Sequence, residues 1–99
     1  MEIRIQAIHF DATEQLQGFI EKKVAKLQRF YDDIDAVEVT LKVVKPETSM
    51  NKEAGVKVKV KNEEFFASKI CDSFEESVDV SLDALQKQLQ KFKEKTRGK

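Results

Sequence analysis

Residues 36–45 read AVEVTLKVVK and residues 56–61 read VKVKVK. In the first stretch Val37, Val39, Leu41 and Val43 fall on one side, with Glu38, Thr40 and Lys42 on the other. In the second, Val56, Val58 and Val60 alternate with Lys57, Lys59 and Lys61. A strict period of two marks a strand with one face on a core and one toward water. Two such strands in succession imply a sheet with a single dry face. Pro46 closes the first of them, because proline cannot donate to a ladder, and residues 46–53 form a polar connection.

Working outward, Asn62-Glu63 suits a two-residue hairpin, since Asn tolerates positive φ. That turn predicts Lys61 opposite Glu64, Val60 opposite Phe65 and Val58 opposite Ala67. Phe66 and Ser68 then lie on the outer face beside Lys59 and Lys57, and Ile70 falls on the outer side as well. Residues 2–9 also alternate, with Ile3 and Ile5 against Glu2, Arg4 and Gln6.

Between these strands the period changes to that of a helix. Leu16, Phe19, Ile20, Val24, Leu27 and Phe30 give one apolar face from about Thr13 to Tyr31, with Asp11 or Thr13 able to cap it. The acidic residues Asp32, Asp33 and Asp35 mark a turn. Ser73 with Glu76 three residues on is a capping-box pattern. Phe74, Val78, Leu82, Leu85, Leu89 and Phe92 then step by three or four to about Lys95. The expected fold class is α+β, ordered β-α-β-β-β-α, with two helices packed on one face of a four-stranded, mostly antiparallel sheet.

The chain of 99 residues suits one domain with one modest core. Its charged share is 36%, well above the usual quarter, and three Gly and one Pro leave little room for a linker. A single cysteine allows no internal disulfide, and no basic start with an apolar run suggests a signal peptide. No apolar stretch approaches the roughly 20 residues that cross a bilayer. The cytoplasm is the expected location, with no membrane partner.

His9 is the only histidine and Cys71 the only thiol, so no His/Cys ligand cluster can be assembled. With no Gly-rich phosphate loop and no nucleophile motif, the residues give no support to an enzyme, a metal, a cofactor or a small-molecule substrate. His9 reads as an ordinary strand-end residue and Cys71 as a small apolar one.

Net charge is zero, yet charge is strongly polarised. Residues 72–83 carry Asp72, Glu75, Glu76, Asp79 and Asp83 with no base, while residues 84–99 carry Lys87, Lys91, Lys93, Lys95, Arg97 and Lys99 against Glu94 alone. At about 100° per residue, Lys22, Lys26 and Arg29 share one flank of the first helix, away from Glu14 and Glu21. Lys87, Lys91 and Lys95 share one flank of the last. Both rows lie on the same rotational side of their apolar stripes; antiparallel helices would make them diverge and parallel ones could merge them. The helix macrodipole favours acids at the start and bases at the end, but fades within a turn. It therefore leaves Lys87 and Lys91 unexplained. On the outer sheet face Lys42, Lys57, Lys59 and Phe66 make only a weak second candidate, since stacking platforms use two or more aromatics.

The chain resembles a known family, the short ribosome hibernation promoting factors, also called ribosome-associated inhibitors or protein Y. The likeness spans nearly its whole length. It is carried by the opening strand with Asp11-Ala12-Thr13-Glu14, by Phe19-Ile20 through Lys23-Val24-Ala25-Lys26-Leu27, and by Ala67-Ser68 and Phe74 to Asp79. Above all it is carried by Leu85-Gln86-Lys87-Gln88-Leu89-Gln90-Lys91-Phe92-Lys93-Glu94-Lys95. The resemblance implies the same β-α-β-β-β-α fold, which is similar to a double-stranded-RNA-binding domain. It also implies binding to the small ribosomal subunit and its rRNA, in the channel between head and body. There such proteins occupy the space of mRNA and tRNA and silence translation in slow growth or stress.

By position, the resemblance makes Lys23, Lys26, Lys87, Lys91, Lys93 and Lys95 rRNA-phosphate contacts; Lys22 and Arg29 join them on helix geometry. Phe74-Glu75 stands where many members have Met-Tyr, and Ala84 where a lysine is common, so contacts by those residues are not carried over. Residues 1–99 are expected to form one ribosome-binding domain with a basic end over about 84–99, lacking the extra C-terminal domain of long members and monomeric off the ribosome. Two other readings stay open: a protein-interaction module using the acidic 72–83 segment, and a general RNA-binding domain with no ribosome role.

Overall fold

The alternating stretches lie at the centre of the sheet, where their two-residue period buries every second side chain. The computed structural model describes residues 2–8, 11–31, 33–44, 51–61 and 63–97. Its elements run β1 (Glu2–Ile8), α1 (Glu14–Phe30), β2 (Ile34–Val43), β3 (Lys52–Val60), β4 (Glu63–Cys71) and α2 (Phe74–Arg97). The four-stranded sheet has the order β1-β2-β3-β4. β1 pairs parallel with β2, across the α1 crossover such a pair needs; the other pairs are antiparallel. His9, Pro46 with residues 45–50, and Asn62 lie outside the described residues, so the strand-end, strand-stop and turn roles expected of them do too.

Register stacks residues in rows across the sheet. Ile3, Val37, Val58 and Phe65 form one inner row, and Ile5, Val39, Val56 and Ala67 the next. Arg4, Glu38, Lys57 and Phe66 form an outer row. The inner rows meet Leu16, Ile20, Val24 and Leu27 of α1 and Val78, Leu82, Leu85 and Leu89 of α2 in one buried cluster.

Four sequence expectations need correction. β3 begins at Lys52, inside the expected polar connection 46–53. Val60 faces Glu63 and Val58 faces Phe65, so the β3–β4 register differs from the expected one by two residues. Such a slip keeps every side chain on its face, so hydrophobic alternation cannot detect it; Phe66 and Ile70 are outward as expected, 59% and 43% exposed. β2 starts at Ile34, two residues before the expected 36, because an irregularity between Ile34 and Ala36 leaves Asp35 unpaired. That extra residue reverses the phase and lets Ile34 bury opposite Val60. α2 runs to Arg97, past the expected Lys95.

The caps follow from side-chain oxygens. Thr13, not Asp11, caps α1: its Oγ1 accepts the Leu16 N–H at 3.1 Å. Ser73 Oγ accepts the Glu76 N–H at 3.2 Å. Two buried serines then tie α2 to β3. Ser77 Oγ–H donates to the Lys52 carbonyl at 2.5 Å, and Ser81 Oγ–H to the Ala54 carbonyl at 3.2 Å. Each such bond contributes about 1 kcal/mol.

Helix direction is a matter of parity. α1 runs antiparallel to the parallel pair β1 and β2. Two antiparallel steps make β4 parallel to β2, so α2, folding back from β4, runs the same way as α1. Contacts agree: Lys23 meets Asp79, and Tyr31 meets Phe92 at 6.3 Å between ring centroids. Residue numbers rise together along both helices.

Candidate nucleic-acid interface

The layer of two helices presents the lysines to solvent, while the sheet presents its outer face on the other side. On α1, Lys22, Lys26 and Arg29 are exposed. Lys23 sits lower, its side chain 28% exposed, with Nζ 3.1 Å from Asp79 and 5.5 Å from the Phe19 ring centroid. Lys23 and Lys26 line one wall of a shallow groove of about 100 Å³ between the helices; Asp79, Asp83 and Gln86 line the other, over Leu27 and Leu82.

On α2 the charges fall into separate rows. Asp79, Asp83, Gln90 and Glu94 follow one line along the solvent side, at i, i+4, i+11 and i+15. Lys87, Lys91 and Lys95 are exposed and lie on the flank away from α1. Gln88 marks that side, donating its Nε2–H to the Phe66 carbonyl of β4 at 3.4 Å. Lys93 turns to the opposite flank, its Nζ 5.5 Å from the Phe30 ring centroid of α1.

Parallel helices therefore do not merge the two rows. Because both rows sit on the same rotational side, the α1 row leans toward α2 while the α2 row leans away from α1. The structure groups Lys22, Lys23, Lys26, Arg29 and Lys93 in one strip and Lys87, Lys91 and Lys95 in another. Between them runs the acidic crest of α2. Two of its members hold lysines: Asp79 holds Lys23, and Asp83 holds Lys87 at 3.8 Å. Neither role was noted in the sequence. The Asp83–Lys87 spacing of four was legible, whereas Lys23–Asp79 requires the helix direction.

The outer sheet face is a poorer surface for a polyanion. Lys57 is 3.9 Å from Glu38, and Arg4 is 3.6 Å from Glu2. Lys42, Glu53 and Phe66 surround a shallow depression with Thr40, Gly55 and Ser68. Bases and acids alternate there, and Phe66 is its one exposed aromatic among the described residues. Among those residues no group of three or more His, Cys, Asp or Glu could hold a metal ion, and Cys71 is a buried free thiol. No helix among them is long and apolar enough to cross a membrane.

Comparison with known proteins covers nearly the whole chain. Residues 3–97 match the family described as sigma 54 modulation protein / S30EA ribosomal protein. A ribosome hibernation promoting factor of Escherichia coli strain K12 is 32% identical over 95 residues, 96% of each chain. One of Azotobacter vinelandii is 28% identical, over 96% of this chain and 85% of its own. In three dimensions, a ribosomal subunit interface protein of Coxiella burnetii superposes with a TM-score of 0.83 at 24% identity, covering 94% of this chain and 98% of that one. The N-terminal domain of Thermus thermophilus Protein Y gives 0.78 at 20% identity, covering 93% and 99%.

Proposed function

The chain belongs to the sigma 54 modulation protein / S30EA ribosomal protein family, whose members are non-enzymatic ribosome-associated factors, and from that premise we propose that it silences translation by physical blockade of the small subunit. In this reading residues 1–99 act as one ribosome-binding domain and as a single copy. They occupy the decoding channel, where mRNA and tRNA would otherwise lie, with the basic end over residues 84–99 against rRNA. No reactive group is needed, because the effect comes from shape and charge.

The observation that supports this best is the pair of basic strips on either side of the α2 crest. A cleft with RNA on both walls engages both: Lys22, Lys23, Lys26, Arg29 and Lys93 on one side, Lys87, Lys91 and Lys95 on the other. Phosphate contacts from lysines position a protein without reading sequence, as blockade requires.

The test is cosedimentation with small subunits. The variant K87E/K91E/K95E is expected to lose at least about tenfold in affinity. Parent binding should weaken with salt by about 0.7–0.9 log units per log unit of salt for each phosphate contacted. Binding by the triple variant equal to the parent's would remove the α2 strip from the interface. Equal parent affinity for subunits and for arbitrary duplex RNA would favour a general RNA-binding domain.

A further inference from the structure

The acidic crest of α2 lies in the middle of the surface that the proposed function turns toward RNA, where negative charge opposes binding. Asp79 and Asp83 are no part of the core: their side chains are 60% and 68% exposed. Neither stands at the start of the helix, where the macrodipole would reward an acid, since both follow its first turn. Each instead holds a lysine of a different strip, Lys23 at 3.1 Å and Lys87 at 3.8 Å. The two carboxylates thus occupy lysine ammonium groups that phosphate would otherwise take, and they keep phosphate off the line between the strips.

We propose that Asp79 and Asp83 are specificity determinants that reject ordinary duplex RNA. A duplex laid across both strips must bring phosphates over the crest, against these carboxylates, and must break both ion pairs. An RNA cleft that receives the two strips on separate walls leaves the crest pointing into the gap. It must still displace the carboxylates from Lys23 and Lys87, but it sets many contacts against that cost. Discrimination arises by penalising the wrong partner, with no gain for the right one. The inference rests on the RNA-blockade reading and adds to it a choice between two forms of RNA.

The experiment measures binding of parent, D79N, D83N and D79N/D83N to a plain RNA duplex and to small ribosomal subunits, in the same low-salt buffer. E21Q serves as a control, because it removes one negative charge from the far flank of α1. For the duplex, each aspartate variant should bind about two- to fivefold tighter, the span set by the energy of an exposed ion pair. E21Q should change little. Subunit affinity should move less than duplex affinity, so the ratio between them falls, and D83E should retain the parent's ratio. Duplex binding by D79N/D83N no tighter than that of E21Q overturns the proposal. So does a double variant with parental thermal stability that loses subunit binding, which would make the acids positioning residues. The parent reading fails separately: there K87E/K91E/K95E would keep full subunit binding, whatever the aspartate variants do.

Discussion

Thr13 and Asp11 are both able to cap a helix, and only the backbone decides between them. Thr13 takes extended φ and ψ of −69° and 159° and aims its oxygen at the Leu16 N–H, so the first turn closes on it. Thr13→Ala should therefore destabilise the protein by about 1 kcal/mol, read as a shift in urea midpoint with an unchanged slope. Ser77 and Ser81 were illegible for the opposite reason. A hydroxyl inside an apolar stripe reads as a break in the stripe, yet here each serine reaches over to a β3 carbonyl. Ser81→Ala should cost about 1 kcal/mol for the lost bond. Ser81→Val should cost more, because it loses the same bond and also puts one further heavy atom and a β-branch into a fully buried site. The same denaturation curves distinguish the two.

At the scale of elements, periodicity located all six, and its failures share one cause: a change that leaves parity intact or reverses it locally. The β3–β4 slip leaves each side chain on its face, and the Asp35 irregularity turns the phase where Ile34 enters. α2 shows a different kind of limit. Its core positions end at Leu89, and Phe92 is half-buried beside Phe65 at 5.4 Å and Tyr31 at 6.3 Å. Beyond Phe92 the helix continues for more than a turn, and none of residues 93–95 is buried, Lys93 only lying over the Phe30 ring. Amide exchange should show strong protection from Val78 to Leu89 and a steep loss after Phe92. Phe92→Ala should cost about 2 kcal/mol, below the range for a fully buried ring, and move the start of that loss toward Leu89.

At the scale of the molecule, the sequence carried the fold class and the lysines but not their grouping. Spacing placed Lys22, Lys26 and Arg29 on one flank and Lys87, Lys91 and Lys95 on another. Whether two flanks form one surface depends on which side of each helix its neighbour occupies, which no local pattern encodes. Lys93 illustrates the point: five of the candidate lysines keep their sequence-assigned row, while Lys93 crosses to α1 through Phe30. Helix direction itself follows from strand parity once β1 is known to lie parallel to β2.

The shared direction of the helices has an electrical consequence. Both expose their N–H ends at one pole and their carbonyl ends at the other, each helix equivalent to about half a unit charge at either end. Along the helices the side chains outweigh this with the reverse sign: Glu14, Glu75 and Glu76 at the first pole, and Arg29, Lys91, Lys93 and Lys95 against Glu94 toward the second. The helix layer of a chain with zero formal charge is thus polarised along its length, and near a polyanion that layer experiences a torque. It should meet RNA with the far ends of its helices leading. Stopped-flow association with small subunits should slow as salt is added, as it would for a cationic protein, and a rate independent of salt would show that orientation plays no part in the approach.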